Sequence, residues 1–171
     1  MKIKSRVIKY GDDINTDVIF PGRYLAITEP EEMARHAMED LDKDFFEKIK
    51  ERKIIVAGKN FGCGSSREQA AICLKYAGVE AIVAKSFARI FFRNAINQGL
   101  PIIESEEASK NIDDNDEIEI DLDRGVIKNL SKNETYSFKP LPDFIQEILN
   151  AGGLLNHIKK KLSSKISERR S

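Results

Sequence analysis

Lys53-Ile54-Ile55-Val56-Ala57-Gly58-Lys59-Asn60-Phe61-Gly62-Cys63-Gly64-Ser65-Ser66-Arg67-Glu68 is the stretch on which the fold turns. A short apolar run leads into a glycine-rich loop and then into a helix. The run is too short for a helix and too apolar for a half-exposed strand, so it reads as a buried strand. The helix runs from Ser66 to Tyr76, with Ala70, Ala71, Cys73, Leu74 and Ala77 inward, and Gly78 closes it. The same rhythm then repeats: a buried strand at Ala81–Ala84, a helix from Ala88 to Gln98 ended by Gly99, and a strand at Leu100–Ile103. Strand, helix, strand, helix, strand implies parallel strands with crossover helices, an α/β core.

Outward from this core, Lys2–Lys9 reads as a short strand and Gly11–Asp17 as a polar loop. Val18-Ile19-Phe20 is apolar and stops at Pro21-Gly22. Glu29–Asp40 is expected to be helical, and Phe45, Phe46 and Ile49 mark a second short helix. Beyond Glu104 the pattern changes to hairpin strands at Asp116–Leu122, Val126–Leu130 and Thr135–Phe138. A helix over Pro142–Leu149 is interrupted by Ala151-Gly152-Gly153. Residues 1–158 are expected to form one domain, and 159–171 a mobile basic tail carrying Lys159, Lys160, Lys161, Lys165, Arg169 and Arg170.

Composition excludes several functions. The 28 Lys+Arg balance 28 Asp+Glu, so no global charge draws the chain to nucleic acid or to a membrane. No apolar run approaches the ~20 residues that cross a bilayer, and Met1–Arg6 lacks the apolar stretch of a secretion signal. Two cysteines are too few for a disulfide framework and suit a reducing compartment, hence a cytoplasmic location. With two histidines and no ligand spacing, a metal centre built within this chain alone is not expected.

The glycine loop lies between a strand and a helix start, where backbone N–H groups and the helix dipole meet an anion. Known phosphate loops do not fit. Gly64 is followed by Ser65 rather than Lys, and the third glycine of a dinucleotide fingerprint falls on Arg67. Two readings stand at this point. Ser65 with Glu68, or Ser66 with Gln69, spells a capping box. Alternatively, Gly62, Gly64 and Arg67 together form a carboxylate or phosphate site of loop amides and a guanidinium fork.

Asn60–Glu68, then Ala84-Lys85-Ser86-Phe87-Ala88-Arg89-Ile90, then Asn97-Gln98-Gly99-Leu100 resemble the swivelling domain of the aconitase superfamily. Asp13-Ile14-Asn15-Thr16-Asp17-Val18-Ile19-Phe20-Pro21-Gly22-Arg23-Tyr24-Leu25 narrows the resemblance to the separate small subunits of 3-isopropylmalate dehydratases and of homoaconitase-type enzymes. The similarity runs from about Ile3 to Leu149 and leaves the basic tail outside.

The resemblance implies a β/β/α swivelling fold and a large-subunit partner carrying a [4Fe–4S] cluster, with no cofactor on this chain. It implies interconversion of 2- and 3-isopropylmalate by dehydration and rehydration, in leucine biosynthesis. Ser65 matches the family's catalytic base, used as an alkoxide that removes a proton next to a carboxylate. Arg67 and Ser66 match the substrate-carboxylate site, with Gly64 in the same loop, and Asp17 matches an active-site aspartate. An Asx turn is the plain alternative for Asp17; an EF-hand fails because position 18 is Val.

The segment Tyr24-Leu25-Ala26-Ile27 matches the loop that reads the substrate's variable group. Homoaconitase-type subunits carry an arginine there, whereas Ala26 and Ile27 are apolar and suit an isopropyl or methyl group. Dimethylmalate or citraconate chemistry stays open as an alternative substrate class, with homoaconitase chemistry less favoured. An anion- or RNA-binding module without catalysis is the alternative of another class, and a homo-oligomer of the isolated chain is a further expectation. Cys63 reads as packing, Arg89 and Lys85 as structural ion-pair residues, and His36 and His157 as surface side chains.

Overall fold

A computed structural model describes residues 1–171. Seven strands form one curled sheet: β1 (Lys2–Lys9), β2 (Ile54–Ala57), β3 (Ala81–Ala84), β4 (Ile102–Glu104), β5 (Glu117–Asp121), β6 (Val126–Asn129) and β7 (Glu134–Ser137). Their order is β4-β3-β2-β1-β5-β6-β7. β1 to β4 are parallel, and β5 to β7 form an antiparallel meander on the far side of β1. The expected mixed α/β architecture is therefore present, and β1 joins its two halves.

Side-chain alternation explains why β2 and β3 are apolar throughout. Ile55, Ala57, Ile82 and Ala84 point into one core, and Ile54, Val56, Ala81 and Val83 into another. Both faces are covered, so a polar residue at any of these positions would be buried without a partner. The first core lies under α1 (Thr16–Ile19), α2 (Pro30–Arg35), α3 (Phe45–Lys48), α4 (Glu68–Ala77) and α5 (Arg89–Asn97). The second is closed by α6 (Glu106–Asn111) through Ala108, and by Ile118, Ile120, Ile127 and Tyr136 of the meander. Each fully buried isoleucine stabilises the fold by about 2–3 kcal/mol.

Several elements differ from the sequence reading, among them α1 and the 3-10 turn at Gly22–Tyr24, where no helix was expected. The helix expected over Glu29–Asp40 ends at Arg35. Met38 takes φ +61° and donates its N–H to the Ile19 carbonyl at 2.9 Å, so a tertiary bond replaces the helical ladder. α6 was not expected. Its six residues are too few to show a period, and Ser105 starts it by accepting from the Ala108 N–H at 3.2 Å. Finally, α7 (Asp143–Asn150) is followed by α8 (Leu154–Arg170), which runs without a break through the basic segment. The backbone thus shows no boundary at 158/159.

Candidate active site

Three loops meet beyond the carboxyl ends of β1, β2 and β3, the usual site of ligands in an open parallel sheet. The loop after β2 is stitched to its neighbours on both sides. Toward the β1 loop, the Gly62 N–H donates to the Ile14 carbonyl (2.7 Å) and the Thr16 N–H to the Cys63 carbonyl (2.8 Å). Toward the β3 loop, the Phe61 N–H donates to the Ser86 carbonyl (3.0 Å) and the Ala88 N–H to the Phe61 carbonyl (2.9 Å). Gly62 sits at φ +83°, and a Cβ there would lie 2.2 Å from Cγ of Phe91. Only glycine fits, because both the backbone and the Phe91 ring forbid a side chain.

The loop ends at Ser65, Ser66 and Arg67, just before α4. The helix is capped by the Arg67 backbone without any side-chain cap bond, so neither form of capping box is present. The serines are thus not consumed as caps. The N–H groups of Ser65, Ser66 and Arg67 donate to no carbonyl of the chain, and Gly64, Ser65 and Ser66 are exposed. Ser65 Oγ lies 3.0 Å from Oγ1 of Thr16, the first residue of α1. Thr16 is 1% exposed and also donates to the Ser65 carbonyl at 3.1 Å. Asn15 Oδ1 caps α1 by accepting the Val18 N–H at 2.9 Å, which fixes Thr16 and Asp17 in the first turn.

Arg67 closes the site from the other side. Its Nη1 is 2.7 Å from Asp17 Oδ1 and donates to the Phe20 carbonyl at 3.0 Å. Nη2 passes 3.4 Å from where a Cβ of Gly22 would be, so the bare glycine lets the guanidinium lie on the chain. Nη1 is therefore spoken for, while Nη2 and Nε keep N–H groups for an incoming anion. Gly22 opens a 3-10 turn, Gly22–Tyr24, that leads into the 24–27 loop. Within that loop Tyr24 and Ile27 lean on the core, while Leu25 and Ala26 are exposed.

The Aconitase C-terminal domain family model matches residues 14–108, the segment that holds every group just described. The 3-isopropylmalate dehydratase small subunit of Ruminiclostridium cellulolyticum is 55% identical over 163 residues, covering 95% of this chain and 100% of the relative. That of Brachyspira hyodysenteriae is 58% identical over 159 residues, covering 93% and 98%. The crystal structure of 3-isopropylmalate dehydratase from Methanocaldococcus jannaschii superimposes with a TM-score of 0.91 at 50% identity, covering 100% of both chains. The chain belongs to the 3-isopropylmalate dehydratase small-subunit family.

For a member of this small-subunit family, the donor set matters as much as the loop. No group of three or more His, Cys, Asp or Glu converges anywhere in the chain. Cys73 is fully buried, burial pushes its thiol well above the usual range, and its Sγ faces the Ala70 carbonyl at 3.3 Å. Cys63, half-buried, is a free thiol. These residues do not fit an iron–sulfur cluster.

The structure brings together Ser65, Ser66, Gly64, Arg67 and Asp17, and places the 24–27 loop at the end of the turn that Arg67 touches. Lys85 pairs with Glu106 at 3.4 Å as expected of a structural cation. Arg89 does not: it is exposed and makes no ion pair, while Glu104 accepts the Phe87 N–H at 3.3 Å. His36 is half-buried rather than superficial. It stacks on Tyr24 with ring centres 3.8 Å apart and meets Glu39 through Nδ1 at 2.9 Å. His157 is also partly covered. Sequence reasoning missed Thr16 and the Glu39 cluster. Thr16 stood inside the Asn15-Thr16-Asp17 run, yet nothing local marks its hydroxyl as facing Ser65. Glu39 was hidden within an apparently continuous helix.

Proposed function

We propose that this chain acts as the small subunit of a 3-isopropylmalate dehydratase, interconverting 2- and 3-isopropylmalate in leucine biosynthesis by removing and restoring water. The observation that carries the reading is the exposed Ser65, in a loop whose Ser65, Ser66 and Arg67 N–H groups have no main-chain partner and whose Arg67 guanidinium is already anchored by Asp17. Ser65 Oγ, as an alkoxide, takes the proton from the carbon beside a carboxylate. The loop N–H groups and the start of α4 favour negative charge on that oxygen. Arg67 binds the carboxylate through Nη2 and Nε, with Ser66 and Gly64 beside it, while Asp17 keeps the guanidinium aimed.

The Lewis-acid help for hydroxyl departure is the chemistry supplied by a [4Fe–4S] cluster on a separate large subunit. That subunit covers the open face of the loop, and the pair works in the cytoplasm. Leu25 and Ala26 present an apolar surface beyond the turn at Gly22, which suits an isopropyl group, and Arg23 of that turn is already paired with Glu39 and Asp40.

The test is reconstitution under anaerobic conditions with a cluster-loaded large subunit. The mixture is expected to turn over isopropylmalate, the chain alone to be inactive, and Ser65→Ala to lose activity while still assembling. Near-normal turnover by Ser65→Ala would sink the base assignment. A higher kcat/KM for dimethylmalate, citraconate or homoaconitate than for isopropylmalate would change the substrate.

A further inference from the structure

The hydroxyl of Thr16 has no part in the chemistry proposed for Ser65, yet it is hydrogen-bonded to Ser65 Oγ. It is buried at 1% exposure and faces two oxygens of a single residue, the Ser65 carbonyl at 3.1 Å and Ser65 Oγ at 3.0 Å. A threonine hydroxyl has one proton to give. With that proton on the Ser65 carbonyl, Thr16 Oγ1 can only accept from Ser65, so the neutral Ser65 hydroxyl is the donor of the pair. An ionised Ser65 has nothing to donate and is the stronger acceptor.

We infer that Thr16 is a positioning residue for the base, whose single O–H switches from the Ser65 carbonyl to Ser65 Oγ when that oxygen ionises. This rests on Ser65 being the base. No heavy atom has to move, only the hydroxyl hydrogen. Thr16 is fixed for this by its N–H bond to the Cys63 carbonyl and by the Asn15 cap of α1. Gly64 takes φ +99° beside the pair, a conformation that suits glycine. Protons balance over the cycle. Ser65 releases its proton to solvent while the face is open, and Thr16 then donates to Oγ. When Oγ takes the substrate proton, the new O–H turns to Thr16 Oγ1 and the Thr16 hydrogen returns to the carbonyl. The charged residues beside the pair in the chain are Asp17, Arg67 and Glu68. Cys63, a free thiol, is joined to Thr16 through its carbonyl, and a change at Thr16 leaves the charge of each of these groups as it is.

The experiment measures kcat and KM against pH for the reconstituted enzyme carrying Thr16→Val, Thr16→Ser or Ser65→Ala. Donation to the charged form lowers an acid's pKa, so Thr16→Val is expected to move the ascending limb of kcat up by about one pH unit. Turnover below that limb should fall about tenfold, because one unit is a factor of ten. KM should stay within about threefold, since no substrate contact is lost. Thr16→Ser should restore the wild-type limb. Loss of the carbonyl bond alone would lower the melting temperature and leave the limb in place, and that result would overturn the inference. Failure of Thr16→Ser to restore the limb would overturn it too. If Thr16→Val does not assemble, Thr16→Cys, a weaker donor, should show an upward shift of the limb, and a wild-type limb there also overturns it. An active Ser65→Ala removes the base itself and this inference with it. An inactive Ser65→Ala beside a wild-type Thr16→Val limb removes the switch alone.

Discussion

The glycine loop at 58–67 and the turn at 22–27 face the same site but are held by different means. The glycine loop is fixed by main-chain hydrogen bonds to both neighbouring loops and by a conformation that needs glycine at position 62. The 22–27 turn closes on its own main-chain bonds, but side chains tie it to the rest of the chain. Arg23 reaches Glu39 at 2.7 Å and Asp40 at 2.6 Å, and Tyr24 is bonded to Glu39 and stacked on His36. Main-chain bonding does not depend on which side chains are present, whereas a side-chain cluster does. The groups proposed for the reaction lie on the first kind of support, and the residues proposed for selecting the substrate lie on the second. The reaction can therefore stay the same while the pocket wall varies.

Breaking the backbone-held loop should have the largest effect. Gly62→Ala combines a positive φ with an overlap on Phe91, and should destabilise the chain by at least about 3 kcal/mol in a thermal or urea melt. A loss under about 1 kcal/mol would mean that Phe91 yields and that the loop is not rigid.

Arg67→Lys should come next. Lysine keeps the charge but loses the fork that serves Asp17, Phe20 and a carboxylate together, so kcat/KM should fall about 10- to 100-fold with little change in melting temperature. Ala26→Arg should then alter choice rather than speed. It is expected to favour a substrate with an extra carboxylate over isopropylmalate by about tenfold, measured as a ratio of kcat/KM values.

The smallest effect belongs to Glu39. Burial works to raise its pKa, but hydrogen bonds from Tyr24, His36 and Arg23 outweigh it, so the folded value lies below the ordinary 4.5. A depressed carboxylate contributes stability above its unfolded pKa and loses it as pH falls through the folded value. Glu39→Gln should therefore cost stability at neutral pH and nothing once pH is below the folded value. Because the pair with Arg23 is partly exposed, the cost should be under about 1 kcal/mol. An equal loss at both pH values would show a packing effect instead.

The parallel core was legible because β2 and β3 are unbroken apolar runs, while α4 and α5 keep a helical period and close on Gly78 and Gly99. The loop was legible as an anion site because Gly62, Gly64 and Arg67 exceed what a cap requires. The capping box was a false signal. Ser65 and Ser66 have the right spacing, but Thr16 engages Ser65 and the helix starts at Glu68. Met38 and α6 were illegible for the opposite reason: one obeys a bond to Ile19 that is distant in sequence, and the other is too short to show a period.

By itself the sequence determined the strand–helix rhythm, the glycines and the residue types of the site, because these follow from local period and backbone freedom. Only the tertiary structure decided which hydroxyl faces Ser65, which carboxylate anchors Arg67 and which of residues 24–27 remain exposed. Those are contacts between loops after different strands, and no local pattern encodes a distance across the sheet.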